Sequence, residues 1–240
     1  MRDTLYIVMP AYNEEKNIAA VVREWYNVLR FGSEDSRMVI ADGGSKDNTL
    51  QMLYDLQKEF PKLVVQSRPG TDHGTKVIGL YQYAIDQGAD WVFQTDTDGQ
   101  TDPGEFGDFW DLRQQYDAVI GNRTHRGDGL SRAMVEWVLR MYLLVYFGKM
   151  VPDANAPFRL MRTSVIDKYL HIMPEDFNLP NAVLTVCFAK FREKVTFLPV
   201  TFKPRQGGKN YMNFKRIVRI GIQSFHNFAE IRKSMKKAAF

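Results

Sequence analysis

The sequence predicts an α/β fold in which a sheet is assembled from successive strand–helix units. Three observations carry that prediction. From Thr4 to Thr95, short β-branched runs alternate with stretches whose apolar residues recur at helical spacing. The strand-like runs stop at loops rich in Gly, Asp, Asn or Pro. A chain of 240 residues is also long enough to bury a substantial core in one large domain.

The first strand is "TLYIVM", and "EEKNIAAVVREWYNVLR" follows it with a helical pattern. "RMVIA" is the next strand and "NTLQMLYDLQKEF" the next helix, with Asp47 or Asn48 placed to cap it. "KLVVQS", a helix over 75–87 and "WVFQT" continue the series. Past Asp117 the rhythm loosens. "AVIGN" reads as a strand, "SRAMVEWVLRMYLLVYFGKM" as a long apolar helix, "NAVLTVCFAKFREK" as helical and "VTFLPVTF" as a strand, whereas "FRLMRTSVIDKYL" takes no single type. A basic helix is expected from about Asn213 to the end. No repeat, linker or internal boundary stands out, so we expect one domain over 1–210 with an amphipathic helical appendage over 211–240.

Hydrophobic residues at 45% and charged residues at 25% are ordinary for a globular protein and exclude a disordered or collagen-like chain. Cys187 is the only cysteine; it lies in the apolar run "AVLTVCFAKF", where a buried structural thiol is expected. "MRDTLYIVMP" does not read as a signal peptide, which predicts a cytoplasmic protein. Glu136 and Arg140 interrupt the longest apolar stretch, so no transmembrane span is expected. The net charge of +4 is modest, and no nucleic-acid partner is expected. The tail is locally basic: Lys215, Arg216, Arg219, Arg232, Lys233, Lys236 and Lys237 stand against Glu230. Phe214, Ile217, Val218, Gly221, Phe225 and Phe228 fall on roughly one face of that helix, which suits either an anionic bilayer surface or the protein's own core.

Sheets of this kind bind ligands at the carboxyl ends of their strands. "PAYNEE", "DGGSKDN" and "DTDGQTD" follow three of the strands and should therefore meet at one edge. In the first loop Pro10 fixes the strand exit, and the residues after it, Tyr12 among them, can wrap a flat nucleotide moiety. In the second, Asp42 closes its strand before a Gly-Gly turn, where a carboxylate can accept hydrogen bonds from a base or ribose. In the third, Asp96 and Asp98 alternate along an extended segment, so their side chains need not point the same way. A turn at Gly99 would bring Asp98 and Gln100 around one hard cation, Mg2+ or Mn2+, whose shell phosphate oxygens complete. A bare Asp-x-Asp is also the chemistry of a solvated turn, and it is the company of the other two loops that favours a metal and diphosphate site.

The series "VMPAYNEEKNI", "ADGGSKDNT" and "HGTKVIGLYQYAIDQGADWVFQTDTDGQTDP" resembles the nucleotide-sugar domain of the inverting glycosyltransferases of family 2. The resemblance implies a GT-A fold, a Rossmann-like, mixed and mostly parallel sheet flanked by helices. It implies a nucleotide-sugar donor bound by Pro10, Tyr12, Glu14, Asp42, Lys76 and Asp96, with Asp42 on the base, and a cation held by Asp98 with Asp96 and Gln100. Gly43 stands where the commoner pattern has a second Asp, which leaves the choice between UDP and GDP open.

The second half is similar to polyprenyl-phosphate transferases of the dolichol-phosphate mannosyltransferase type, on "SRAMVEWVLRMYLLVYFGKMVPDANAPFRLMRTSVI" and "PVTFKPRQGGKNYMN". That likeness implies that Arg132 lies near an acceptor phosphate, that Asp153 faces the reaction centre, and that Arg205 and Gly208 match a family loop. Arg123, Arg126 and Arg205 are candidates to stabilise charge on the departing diphosphate. Three departures bear on the acceptor: Asn210 replaces a common Ser, "NAPFRL" replaces a Gly-bearing segment, and the helix after "EDFN" lacks the usual acidic residue.

A lipid phosphate is already an anion, so Asp153 would then orient sugar or arginine. A saccharide hydroxyl would need Asp153 as general base. Two enzymes are thus expected from one sequence, a lipid-phosphate transferase at the inner face of the membrane and a polysaccharide-building transferase with a glycan acceptor. A silent nucleotide-sugar-binding subunit of a membrane complex is the alternative of another class, and a membrane protein or a second copy is the protein partner left open. His73 and His125 read as turn or surface residues outside the catalytic set.

Overall fold

The computed structural model of the protein describes residues 2–126, 141, 143–145, 148, 151–204 and 227–235, with the side chains of 124–126 outside that set. Seven strands form one sheet among these residues. They are β1 (Leu5–Ala11), β2 (Arg37–Asp42), β3 (Leu63–Ser67), β4 (Trp91–Gln94), β5 (Ala118–Arg126), β6 (Arg159–Arg162) and β7 (Val195–Phe202). The spatial order is β3-β2-β1-β4-β6-β5-β7. Only β6 runs against its neighbours β4 and β5; every other pairing is parallel. The mixed, mostly parallel α/β sheet implied by the resemblance is therefore the fold of this chain.

Helices cover both faces. α1 (Ile18–Tyr26), α2 (Thr49–Glu59) and α4 (Phe106–Leu112) lie on one side, and α3 (His73–Asp86), α5 (Thr163–Leu170) and α6 (Pro180–Lys190) on the other. Strand residues alternate between the two layers as the pleat requires: Leu5, Ile7 and Met9 of β1 join the first core, Tyr6 and Val8 the second. In the first core Phe93 stacks on Trp25 at 5.2 Å and meets Phe106 and Phe158 edge-on at 4.9 and 4.7 Å. Each such ring removed from water stabilises the fold by about 1.5–3 kcal/mol. α6 is buried on every side from Pro180 to Phe188, so it shows no amphipathic stripe.

Several local expectations shift. α1 begins at Ile18, because the Glu14 carbonyl accepts from the Asn17 and Ile18 amides and forms a turn before the helix. A 3-10 segment, Asn27–Phe31, replaces its expected last turn. Asn48 occupies the position before α2 without a side-chain bond, and it is Asp47 whose Oδ1 accepts from the Thr49 amide at 3.0 Å. β5 outruns "AVIGN" because β7 pairs with it as far as Arg126, past a register shift between Asn122 and His125. "RLMR" becomes β6, wedged between β4 and β5, and the helix starts only at Thr163.

The expected helix over 131–150 falls mostly outside the described residues, although 141 and 143–145 are helical and Leu143 is buried. Within the expected C-terminal helix, 227–235 is helical, and Phe228, Ile231 and Met235 are buried in the α3–α5–α6 core while Arg232 and Lys233 are exposed. Phe228 meets Phe177 at 5.8 Å. No helix among the described residues is long and apolar enough to cross a membrane.

Candidate active site

Because β2, β1 and β4 are adjacent and parallel, the loops that follow them emerge at one edge of the sheet. Hydrogen bonds tie these loops together. The Asn13 amide donates to Ser45 Oγ at 2.8 Å, the Lys46 amide to Asn13 Oδ1 at 2.7 Å, and Thr97 Oγ1 to the Pro10 carbonyl at 3.1 Å. Pro10 sits inside β1 opposite Ala41, one residue short of the strand exit it was expected to fix. Glu14 is buried; its amide donates to Thr49 Oγ1 and its carboxylate accepts from Asn17 Nδ2, both at 2.7 Å.

Asp42 is fully buried, and its carboxylate binds its own turn: Oδ2 accepts from the Gly44 and Ser45 amides at 2.8 and 2.9 Å, and Oδ1 accepts from Ser45 Oγ. Next to it Lys76 reaches up from α3, buried, with Nζ donating to the Ala11 carbonyl at 2.9 Å and lying 5.5 Å from the Tyr12 ring centre. A Cβ on Gly43 would come within 2.5 Å of that ammonium. The missing side chain at 43 thus makes room for a buried cation where the commoner pattern carries an anion.

On the third loop Thr95 and Thr97 are buried and Asp96 and Asp98 half-buried. Both aspartates lie past the end of β4, with Asp98 in the bend at 97–99. Gly99 adopts φ +73°, the left-handed turn that its lack of Cβ permits, and the Gln100 amide returns to Asp98 Oδ1 at 3.2 Å. Gln100 is locked onto the end of β7. Its Nε2 donates to the Lys203 carbonyl and the Lys203 amide donates to its carbonyl, both at 2.8 Å, which leaves only Oε1 of its side chain for a cation. Lys203 Nζ adds an ion pair to Asp102 at 2.8 Å. Among the described residues no three His, Cys, Asp or Glu side chains form a ready metal cage.

Asp153 stands at the same edge, in the turn before β6, and is buried. Arg123 Nε and Nη2 donate to its two oxygens at 2.7 and 2.8 Å, and the Arg123 guanidinium lies 5.3 Å from the Phe202 ring centre. The carboxylate is thus committed to a planar two-pronged ion pair. Arg132, Arg205, Gly208 and Asn210 lie outside the described residues, as do the side chains of His125 and Arg126. His73 is the first residue of α3.

Four buried polar residues at this edge were not anticipated. Arg159 is wholly buried and donates to the carbonyls of Ala154, Ala156 and Asn181 and to Thr185 Oγ1. Burial pulls its pKa down to about 10, which still leaves it charged at neutral pH. Tyr81, Asn181 and Gln94 form a chain of hydrogen bonds that ends on Asp96. The one signal in the sequence was incongruity, a Gln inside "WVFQT" and an Arg inside "FRLM".

The chain matches the family described as Glycosyl transferase family 2 over residues 6–170. Among curated proteins it is 24% identical over 215 residues to an undecaprenyl-phosphate 4-deoxy-4-formamido-L-arabinose transferase of Enterobacter sp. (strain 638), covering 89% of this chain and 64% of that one. It is 24% identical over 213 residues to an undecaprenyl-phosphate mannosyltransferase of Micrococcus luteus, covering 86% of each. Thus the chain spans less than two thirds of the first relative and most of the second. Among solved structures, glucosyl-3-phosphoglycerate synthase of Mycobacterium tuberculosis in complex with Mn2+ and UDP-glucose superposes with a TM-score of 0.68 at 14% identity, over 96% of this chain and 79% of that one.

Proposed function

This chain belongs to glycosyl transferase family 2, and we propose that it transfers a sugar, with inversion, from a UDP- or GDP-sugar to a polyprenyl phosphate. The observation that carries the acceptor is the Arg123–Asp153 pair. A hydroxyl acceptor needs a base to take its proton, and a buried carboxylate with both oxygens held by one guanidinium is badly placed to do so. A phosphate acceptor is already an anion and needs arginines held in place, which the pair does provide. Both curated relatives are named for transfer to undecaprenyl phosphate, which supports the same choice.

On the donor side, Tyr12 and Lys76 flank the base region, and Asp42 keeps the Gly43–Ser45 turn in shape to receive it. Asp98, Asp96 and Gln100 Oε1 are hard oxygen donors, the set that suits Mg2+ or Mn2+ when diphosphate oxygens fill the remaining positions. The structural neighbour that binds Mn2+ with UDP-glucose supports this. Such a cation supplies positive charge against the departing diphosphate. The attacking phosphate oxygen approaches the anomeric carbon from the Arg123 side, with Arg132 and Arg205 completing the cationic set. Work at the cytoplasmic face of a membrane follows from the lipid acceptor, and each basic tail residue near an anionic surface adds about 1 kcal/mol.

The test is a panel of UDP- and GDP-sugars with Mg2+ or Mn2+, offered to polyprenyl phosphate in vesicles and, separately, to oligosaccharides, read by product mass. The expected product is a glycosyl polyprenyl phosphate that disappears in Asp98→Ala. Extension of oligosaccharides alone, or no release of nucleoside diphosphate from any donor, overturns the reading.

A further inference from the structure

The buried chain behind Asp96 has a direction. Tyr81 donates its hydroxyl to Asn181 Oδ1 at 2.7 Å, Asn181 Nδ2 donates to Gln94 Oε1 at 2.7 Å, and Gln94 Nε2 donates to Asp96 Oδ1 at 3.3 Å. Tyr81, Asn181 and Gln94 are 0%, 4% and 0% exposed, so water does not stand in for any of these partners. The polarity cannot reverse. The Asp96 carboxylate only accepts, which fixes the chain from that end, and burial keeps the proton on the Tyr81 phenol, whose hydroxyl also lies 3.5 Å from Gln94 Oε1. Asn181 must then turn its carbonyl to Tyr81 and its amide to Gln94, and Gln94 must turn its own amide toward the carboxylate. A core that needed only packing would fill these positions with apolar side chains at lower desolvation cost.

Asn181 also faces the other half of the site. Its backbone carbonyl accepts from Arg159 Nη1 at 3.1 Å, and Arg159 holds the carbonyls of Ala154 and Ala156, next to Asp153. Arg159 itself opens β6 directly opposite Gln94.

We propose that Asn181 is a positioning residue of the donor site: its carboxamide holds Gln94 with its amide toward Asp96 and so aims the Asp96 carboxylate at the cation–diphosphate group. This rests on the donor reading above, in which Asp96 serves that group. The carboxamide acts through Gln94 and touches no substrate.

Mn2+ binding to the full chain with UDP or GDP tests it, read from the paramagnetic resonance of free Mn2+ beside thermal unfolding of the same samples. Tyr81→Phe removes the first donor and is expected to weaken Mn2+ binding about threefold, whereas Asn181→Asp removes the amide that faces Gln94 and should weaken it about tenfold or more. A merely structural role would lower the thermal midpoint and leave the Mn2+ constant of the folded protein unchanged. Constants within about twofold of wild type in the folded variants overturn the proposal, and Tyr81→Phe alone decides it if Asn181→Asp does not fold. Wild-type protein that binds no Mn2+ with either nucleotide overturns the donor reading itself, a different result.

Discussion

Arg123 and Asp153, 30 residues apart in the chain, meet in a two-pronged ion pair that closes β5 onto the turn before β6. The side chains are 14% and 2% exposed, so the Asp153 carboxylate has almost no water to fall back on and Arg123 little. Breaking one side of such a pair costs more than the pair itself contributes.

Asp153→Asn is therefore expected to destabilise the protein by about 3 kcal/mol, with Arg123→Met combined with Asp153→Leu recovering much of that loss. Urea unfolding of the two variants checks this. Transfer to polyprenyl phosphate should fall in both.

Two glycines differ in what gaining a methyl group would cost. At Gly43 the new Cβ meets the tip of the buried Lys76 at 2.5 Å and the Thr71 carbonyl at 3.1 Å, so Gly43→Ala should cost about 1–2 kcal/mol by pushing the ammonium off the Ala11 carbonyl, and should raise KM for the donor. At Gly74 it would lie 2.2 Å from the Phe177 carbonyl and 2.6 Å from Asn178 Cα, backbone that has nowhere to go. Gly74→Ala should cost about 3 kcal/mol or more, read from the unfolding midpoint.

Arg159→Met should destabilise by about 2 kcal/mol, because the Ala156 carbonyl loses its Arg159 donor and the Ala154 and Asn181 carbonyls each lose one, keeping only Thr185 Oγ1 in its place. Limited proteolysis is expected to cut the turn around Ala154–Ala156 earlier than in wild type.

Cys187 is fully buried, and burial pushes its thiol far above the usual range. The expected buried structural thiol is what the fold contains. Below the ordinary thiol pKa, near 9, both folded and unfolded chains hold the proton and this group leaves stability independent of pH. Above it the unfolded chain ionises first, so Cys187 makes stability fall as pH rises, and Cys187→Ala should flatten the alkaline limb of a stability–pH curve. At pH 8 a thiol reagent should label native protein only as fast as it unfolds.

Much of the first half of the fold was legible. "YIVM", "MVIA" and "WVFQ" became adjacent parallel strands, and the three loops that follow them share an edge because sheet order carried them there. "RLMR" resisted assignment because its strand identity depends on pairing with β4 and β5, and α6 shows no stripe because every side of it is packed. For the candidate site, Asp42 and Asp98 could be named from their turns. The roles of Gln94, Asn181, Tyr81 and Arg159 could not, because their partners lie up to 100 residues away.

By itself, then, the sequence determined what short-range physics writes into a chain: the alternation of strands, the glycine and aspartate turns at their ends, and the family those turns resemble. The tertiary structure alone decided which distant groups touch: Lys76 in the space left by Gly43, Arg123 on Asp153, and Asn181 behind Gln94. Hydrophobic period and turn chemistry act over a few residues and leave local marks. A buried hydrogen bond between distant residues depends on how strands are ordered and helices packed, and no short stretch of chain carries that information.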